Sequence, residues 1–244
     1  MEPIASASAS VAVEEPVPPP APAGCRRAIA NSAHVSDADL RGLILGGKLV
    51  DCLGHAITPS SYATPTSHVD RFVKDSTHMA VFVSVSKESG YTDHCAGFAA
   101  IVRVDANEIV TEGVGPETID DCTPNWLKLD VAMLDGHRAL LFPHVMSTGE
   151  DGDFGMAWTV WLPDDHGALK SVGKITSTRS MGNGSISSGQ WFDSLDSKVL
   201  DAGSLQIEEH REMVREDPDA GEVHGRKKTI VRAYTLADGK LVRQ

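Results

Sequence analysis

The feature that most constrains the fold is an alternation of apolar and polar residues that starts near residue 79 and recurs along the chain. In the stretch MAVFVSVS (79–86), Val81, Val83 and Val85 fall on one side. A period of two is typical of a β-strand with one buried face, because successive side chains in a strand point to opposite faces. Comparable runs follow at 97–104, 126–134, 138–146, 157–162 and 169–175. Short strands without intervening helical patterns favour antiparallel β structure.

Turn-forming residues separate these runs, most clearly Asp135-Gly136, Asp151-Gly152 and the stretch DDHG at 164–167. Such residues favour the tight connections that join antiparallel strands. The run LQIEEHREMVR at 205–215 fits a charged helix or an exposed strand, and we favour the strand because 229–236 offers it a partner. No internal repeat of fixed period is visible, so a solenoid or propeller is not expected. The sequence therefore predicts a mainly β fold, with an antiparallel meander or sandwich-like sheet.

One short helix is expected near residues 37–45. Ser36 or Asp37 can accept hydrogen bonds from its first free backbone N–H groups. Three apolar residues at helical spacing fall on one face: Leu40, Leu43 and Ile44. Gly46-Gly47 is expected to end the helix.

The N-terminal stretch has the composition of a tether. Residues 1–24 hold six of the thirteen prolines, an Ala-Ser repeat and no aromatic residue. Such a segment cannot bury enough apolar surface to offset the entropy lost on ordering. It lacks the basic start and uninterrupted apolar core of a secretory signal, since Glu14-Glu15 divides it. We expect a disordered tether over residues 1–30 and a single β-rich globular domain over 31–244.

Two of the four cysteines have similar surroundings: Cys95 in DHCAGF and Cys122 in DDCTPNW. A disulfide between them would close a 28-residue segment and contribute roughly 3.5 kcal/mol on the chain-entropy model. We predict this bridge, and with it a periplasmic or secreted protein. The alternative is two free thiols in a cytoplasmic protein.

The charge of the chain indicates which partners it can bind. The formal net charge is −12, and residues 101–170 carry thirteen acidic against four basic residues. An acidic surface repels nucleic acid and attracts basic proteins or cations, so we expect no nucleic-acid partner. No apolar run approaches the ~18 residues that a transmembrane helix needs.

The strongest carboxylate cluster is Glu150, Asp151 and Asp153, which flank Gly152. Carboxylates around a glycine can bind Ca²⁺, but the spacing fails the full EF-hand pattern, and a solvated hairpin turn is the alternative. Trp158 and Trp161 lie three positions apart in one strand, so they are expected on opposite faces. An exposed tryptophan beside the acidic turn would anchor a partner, unless a second apolar layer covers it.

These observations predict a non-enzymatic, exported, envelope-associated β-rich protein. It would bind a protein partner, most simply a basic one, through an acidic face that includes Glu150, Asp151, Asp153, Trp158 and Trp161. The alternative is a cation-dependent hydrolase that uses the carboxylates near 150–153. No catalytic motif or nucleotide-binding glycine loop is present in the sequence.

Overall fold

A computed structural model describes residues 25–47, 49–57, 65–87, 95–119, 128–147, 153–176, 181–182, 191–201, 204–217 and 219–244. In these ranges the chain forms one helix and sixteen strands. In chain order they are β1 (Arg26–Ala28), α1 (Asp37–Ile44), β2 (Leu45–Gly47), β3 (Val50–Asp51), β4 (Pro65–Val73), β5 (His78–Lys87), β6 (Cys95–Val104), β7 (Glu108–Ile119), β8 (Asp130–Leu134), β9 (His137–Ser147), β10 (Asp153–Pro163), β11 (Leu169–Thr176), β12 (Met181–Gly182), β13 (Trp191–Asp201), β14 (Leu205–Asp217), β15 (Gly221–Ala237) and β16 (Lys240–Arg243). No helix within these ranges has the length and apolar character needed to cross a bilayer.

The strands form three main antiparallel sheets, which confirms the predicted fold class. Sheet 1 has the order β1-β7-β6-β5-β4, sheet 2 the order β11-β10-β9-β8, and sheet 3 the order β13-β14-β15-β16. Strand β12 pairs with the start of β10, and β2 pairs with β3. Each main sheet is thus built on a consecutive four-strand meander. The same four-strand arrangement thus occurs three times, although the sequence shows no repeat of fixed period.

The three sheets stack face to face. One face of sheet 1 packs against α1 and against apolar residues on either side of it, such as Val35 and Ile57. The sheet contributes residues that include Val81, Val83, Phe98 and Ala100. Its other face meets sheet 2, where Ala80, Phe82 and Ile101 pack against Val131, Leu140 and Phe142. The opposite face of sheet 2 packs on sheet 3, where Leu141, Trp158 and Val160 meet Leu205, Ile207 and Tyr234. The order of layers is therefore α1, sheet 1, sheet 2 and sheet 3.

The helix is confirmed, with one correction at its end. The Ser36 side chain accepts a hydrogen bond from the backbone N–H of Asp39, and the Asp39 carboxylate accepts one from the backbone N–H of Ser36. The predicted apolar face is buried. Gly46-Gly47 does not cap the helix, because the chain turns extended at Leu45 and continues as β2. A Cβ at Gly46 would lie 2.8 Å from the carbonyl oxygen of Asp51, so the glycine permits β2 and β3 to approach closely.

The fold also contains strands that the sequence analysis does not predict, namely β1, β2, β3, β4, β7, β12 and β13. The choice of a strand for residues 205–215 is confirmed, since β14 pairs along its length with both β13 and β15. Residues 25–30, assigned above to the tether, belong to the fold instead. Strand β1 pairs with the start of β7, and Cys25 is fully buried.

Candidate functional site

Most of the described short turns of the three sheets lie at one end of the stack, which we call the turn end; the β14–β15 connection at 218–220 lies at the other. The turn end comprises residues 74–77, 105–107, 135–136, 164–168 and 238–239. The side chain of Asp135, in the β8–β9 turn, accepts hydrogen bonds from Thr235 Oγ1 (2.8 Å) and the backbone N–H of Leu236 (2.6 Å), next to the β15–β16 turn. Arg138 at the start of β9 forms an ion pair with Glu112 of sheet 1 (3.7 Å). These contacts bring the turns of all three sheets to the same end.

The opposite end, which we call the loop end, is marked by the strand termini Lys87, Cys95, Ile119, Ser147 and Asp153. In a meander, alternate connections emerge at the same end. The β8–β9 and β10–β11 turns share the turn end, as the positions of Asp135 and Asp164 in the sequence predict. The strand termini that flank residues 120–127 and 148–152 lie at the loop end.

The carboxylates of the turn end serve the fold. Asp164 accepts hydrogen bonds from the backbone N–H groups of His166 and Ala168, both at 2.9 Å. The Lys170 ammonium, 2.8 Å away, and these N–H groups outweigh burial and lower the pKa of Asp164 to about 2. Asp135 adopts a positive φ of 49°, followed by Gly136 at 81°, as the predicted Asp-Gly turn requires.

Four further carboxylates of the acidic stretch 101–170 have cationic partners. They are Asp105 with Arg103 (2.9 Å), Glu108 with Arg26 (3.1 Å), Asp130 with Lys74 (3.5 Å) and Glu112 with His78 and Arg103 (both 3.4 Å). Glu112 is only 7% exposed, and it joins sheet 1 to Arg138 of sheet 2. With Asp135 and Asp164, six of the thirteen carboxylates of this stretch are therefore engaged in holding the fold together.

The predicted site residues fall partly within the described chain. Asp153 begins β10 and its backbone pairs with Gly182, whereas Glu150 and Asp151 lie outside the described residues. Trp158 is 6% exposed and packs between sheets 2 and 3. Trp161 is half-buried against the core between sheets 1 and 2. The two indoles thus lie on opposite faces as expected, but the second apolar layer covers Trp158, which corrects its assignment as an exposed anchor.

His144 of β9 is the described histidine closest in sequence to the acidic cluster. Its Nε2 shares a hydrogen bond with Thr159 Oγ1 (2.7 Å), and its ring lies 5.2 Å from that of Phe142. Burial, and to a smaller degree the Lys174 ammonium, lowers the pKa of His144 from its ordinary value of 6.5. The ring is therefore neutral near pH 7 and packs as part of the sheet.

The structure also contains an oriented histidine that the sequence analysis misses. The Asp51 side chain is fully buried and accepts hydrogen bonds from the backbone N–H groups of Leu53 (2.9 Å) and His55 (2.8 Å). His55 Nδ1 donates to its second oxygen at 2.7 Å. The D-x-x-x-H spacing is visible in the sequence, but only the turn after β3 brings the two side chains together. In the described ranges, no three His, Cys, Asp or Glu side chains are grouped so as to hold a metal ion.

The described disulfide joins Cys25 and Cys52, with Cα atoms 5.5 Å apart. The sequence analysis predicts a different pair, Cys95 and Cys122. The backbone of Cys95 begins β6, and Cys122 lies outside the described residues, so this second bridge stays a prediction.

Comparison with protein-family models, with curated proteins and with solved structures finds no match to this chain. Function must therefore be inferred from the chain's own residues. At the turn end, Asp135 and Asp164 accept hydrogen bonds of the fold, and the acidic segments 120–127 and 148–152 follow strand termini of the loop end.

Proposed function

We propose that this chain is a non-enzymatic, exported protein that binds a basic protein partner through acidic residues at the loop end. The observation that carries the proposal is where the acidic residues of 101–170 fall along the chain. Six of the thirteen are engaged in contacts of the fold. A further six are Glu117, Asp120, Asp121, Glu150, Asp151 and Asp153, which lie in or next to the segments 120–127 and 148–152.

Electrostatic complementarity explains why this grouping suits a protein partner. A cluster of carboxylates without matching bases produces a negative potential that raises the rate of encounter with a basic surface. The segments 120–127 and 148–152 contain four acidic residues and no Lys or Arg. Rim charges of this kind act mainly on association, so the partner should be recognised by its basic charge and by further contacts.

The Cys25–Cys52 disulfide supports export. Disulfides persist in the periplasm and outside the cell and are rare where thioredoxin and glutathione keep thiols reduced. Cys25 is buried in the core beneath α1, where a small reductant has little access. The proposal therefore places the partner in the same oxidising compartment.

A quantitative pull-down tests the proposal. The full chain is used as bait against native extract, beside a triple variant, Glu150→Gln, Asp151→Asn and Asp153→Asn. The charge-matched control is Glu108→Gln, Asp165→Asn and Asp238→Asn, which removes three negative charges from the turn end. Glu108 loses only a half-exposed ion pair with Arg26, so the control should stay folded.

We expect one basic protein to be enriched by the wild type and the control and lost from the triple variant. Capture of the same protein by all three baits, or enrichment of acidic proteins, would contradict the proposal. The melting temperature of each bait shows that the comparison is between folded proteins.

A further inference from the structure

In the part of the chain that the structure describes, the stack of sheets has a helix at one end and none at the other. Sheet 1 is covered on one face by α1 and on the other by sheet 2, and sheet 2 is covered on both faces. Among the described residues, sheet 3 packs through its inner face, which includes Leu205 and Ile207 of β14 and Tyr234 of β15. Because strand side chains alternate, the intervening residues form an outer face: Glu208, His210, Glu212, Lys227, Thr229, Val231, Ala233 and Val242.

Apolar side chains lie on this outer face. Val231 is 51% exposed and Val242 is 37% exposed. On β15, Thr229, Val231 and Ala233 alternate with the inward-facing residues and carry no charge. Valine and alanine also meet where sheets 1 and 2 stack, for example Val131 and Ala99. Such a row can pack against another sheet.

Two ion pairs of the described residues lie within the outer face. His210 Nε2 lies 2.5 Å from Glu208 Oε1, and Lys227 Nζ lies 2.9 Å from Glu212 Oε1. A buried charge is costly when it loses its partner, whereas a paired one can be covered at a smaller cost. The face can therefore be removed from water without leaving these charges unpaired.

We propose that the outer face of sheet 3 docks onto the same face of a second copy of this chain. Glu212 of β14 is the direct cross-strand neighbour of Lys227 of β15. A two-fold axis that runs between these strands and parallel to them exchanges their positions. It therefore sets each Glu212 carboxylate over the partner's Lys227 ammonium, so the face complements itself in charge.

The capped end of the stack explains why two copies suffice. Stacking head to tail would require sheet 1 to be open, but α1 covers it. Two-fold pairing of the open ends gives six stacked sheets with a helix at each end, which is a closed assembly rather than a growing fibre. This second interface is separate from the loop end and does not depend on the proposed function.

Sedimentation velocity over a range of concentrations tests the inference on the full chain. We expect a species of twice the chain's 26.0 kDa. Val231→Asp should weaken dimerisation by at least about tenfold in Kd, because it places an unpaired charge in the interface. The matched control is Val73→Asp, since Val73 of sheet 1 is 69% exposed and lies away from sheet 3; it should leave the dimer intact.

A charge exchange provides a second readout. Lys227→Glu alone should weaken the dimer, and the double variant Lys227→Glu with Glu212→Lys should restore it. A wild type that sediments as a monomer at the highest concentration would overturn the inference, as would a Val231→Asp dimer as stable as the wild type. A mass that continues to grow beyond the dimer would contradict the closed two-fold arrangement.

Discussion

At the scale of single residues, one buried ion pair lies where sheet 3 meets sheet 2. Glu209 and Arg232 are 1% and 9% exposed in their side chains, and Arg232 Nη2 lies 3.1 Å from Glu209 Oε2. Arg232 also donates to the carbonyl of Thr176 in sheet 2 (3.3 Å). Removing one member leaves the other charge buried, which typically costs about 3–5 kcal/mol.

We therefore expect Glu209→Ala to lower the free energy of unfolding by about 3–5 kcal/mol in urea titrations. The double variant Glu209→Leu with Arg232→Met should recover most of this loss, because packed apolar side chains avoid the desolvation of charges. The exposed pair Arg26 and Glu108 is the control, and Glu108→Ala should cost about 0–1 kcal/mol. Equal losses in the two single variants would show that the buried pair has no special role.

The lowered pKa of His144 leads to a separate prediction about how stability depends on pH. Because the folded protein lowers the pKa of His144, the unfolded chain binds a proton first as the pH falls below the ordinary value of 6.5. The histidine therefore leaves stability unchanged above that pH and reduces it below, by at most about 1.4 kcal/mol per pH unit. His144→Gln should remove this part of the loss between pH 7 and 5.

Urea unfolding at several pH values measures the effect, with exposed His137 on the same strand as the matched control. His137→Gln should keep the pH dependence of the wild type. If His144→Gln loses stability on acidification as steeply as the wild type, the histidine is not the group responsible.

At the scale of elements, the disulfide fastens the N-terminal cap of the stack. It joins Cys25, just before β1, to Cys52, just after β3, and so encloses α1. The enclosed segment covers the outer core of sheet 1. We expect Cys52→Ala to cost about 2–4 kcal/mol of unfolding free energy, from the larger entropy of the open unfolded chain.

Peptide mapping without reduction checks both cysteine pairs at once. We expect a Cys25–Cys52 peptide, together with the Cys95–Cys122 peptide predicted from the sequence. Recovery of Cys25 and Cys52 as alkylated thiols from freshly isolated protein would contradict the first bridge and the exported location that it supports.

The elements with strong local signals are those that sequence reasoning predicts. The helix has a capping residue and an apolar face within nine residues, and β5, β6, β9 and β10 contain apolar runs of strand length. Strand β7 lacks this pattern because glycines interrupt it. At Gly113 a Cβ would lie 2.7 Å from Leu169, so the glycine serves a close approach by β11 that no local rule reveals.

Tertiary partners explain the other failures. The predicted tether extends to residue 30, yet β1 pairs with the edge of β7. Cys25, just before β1, is also joined by a disulfide to Cys52, 27 residues later. The burial of Trp158 depends on Leu205, Ile207 and Tyr234 of sheet 3, which lie more than 40 residues later in the chain. The Asp51–His55 pair depends on a turn after β3. Among the candidate site residues, the sequence therefore predicts the opposite faces of the tryptophans but not which face is covered.

At the scale of the whole molecule, three consecutive meanders place most of their described short turns at one end. The turn end is compact, and its carboxylates accept backbone hydrogen bonds or pair with bases. The loop end adjoins the segments with most of the remaining acidic residues of 101–170. A division of this kind separates the residues that hold the sheets together from those proposed to meet a partner.

The most direct test of this account is the association rate of the captured basic partner, measured by stopped flow as a function of ionic strength. The wild type should associate fastest at low salt, and the rate should fall steeply as salt is added, because exposed charges are screened. The Glu150→Gln, Asp151→Asn, Asp153→Asn variant should associate roughly tenfold more slowly at low salt, with a flatter salt dependence and little change in dissociation rate. Association rates and salt slopes equal to those of the wild type would contradict the account.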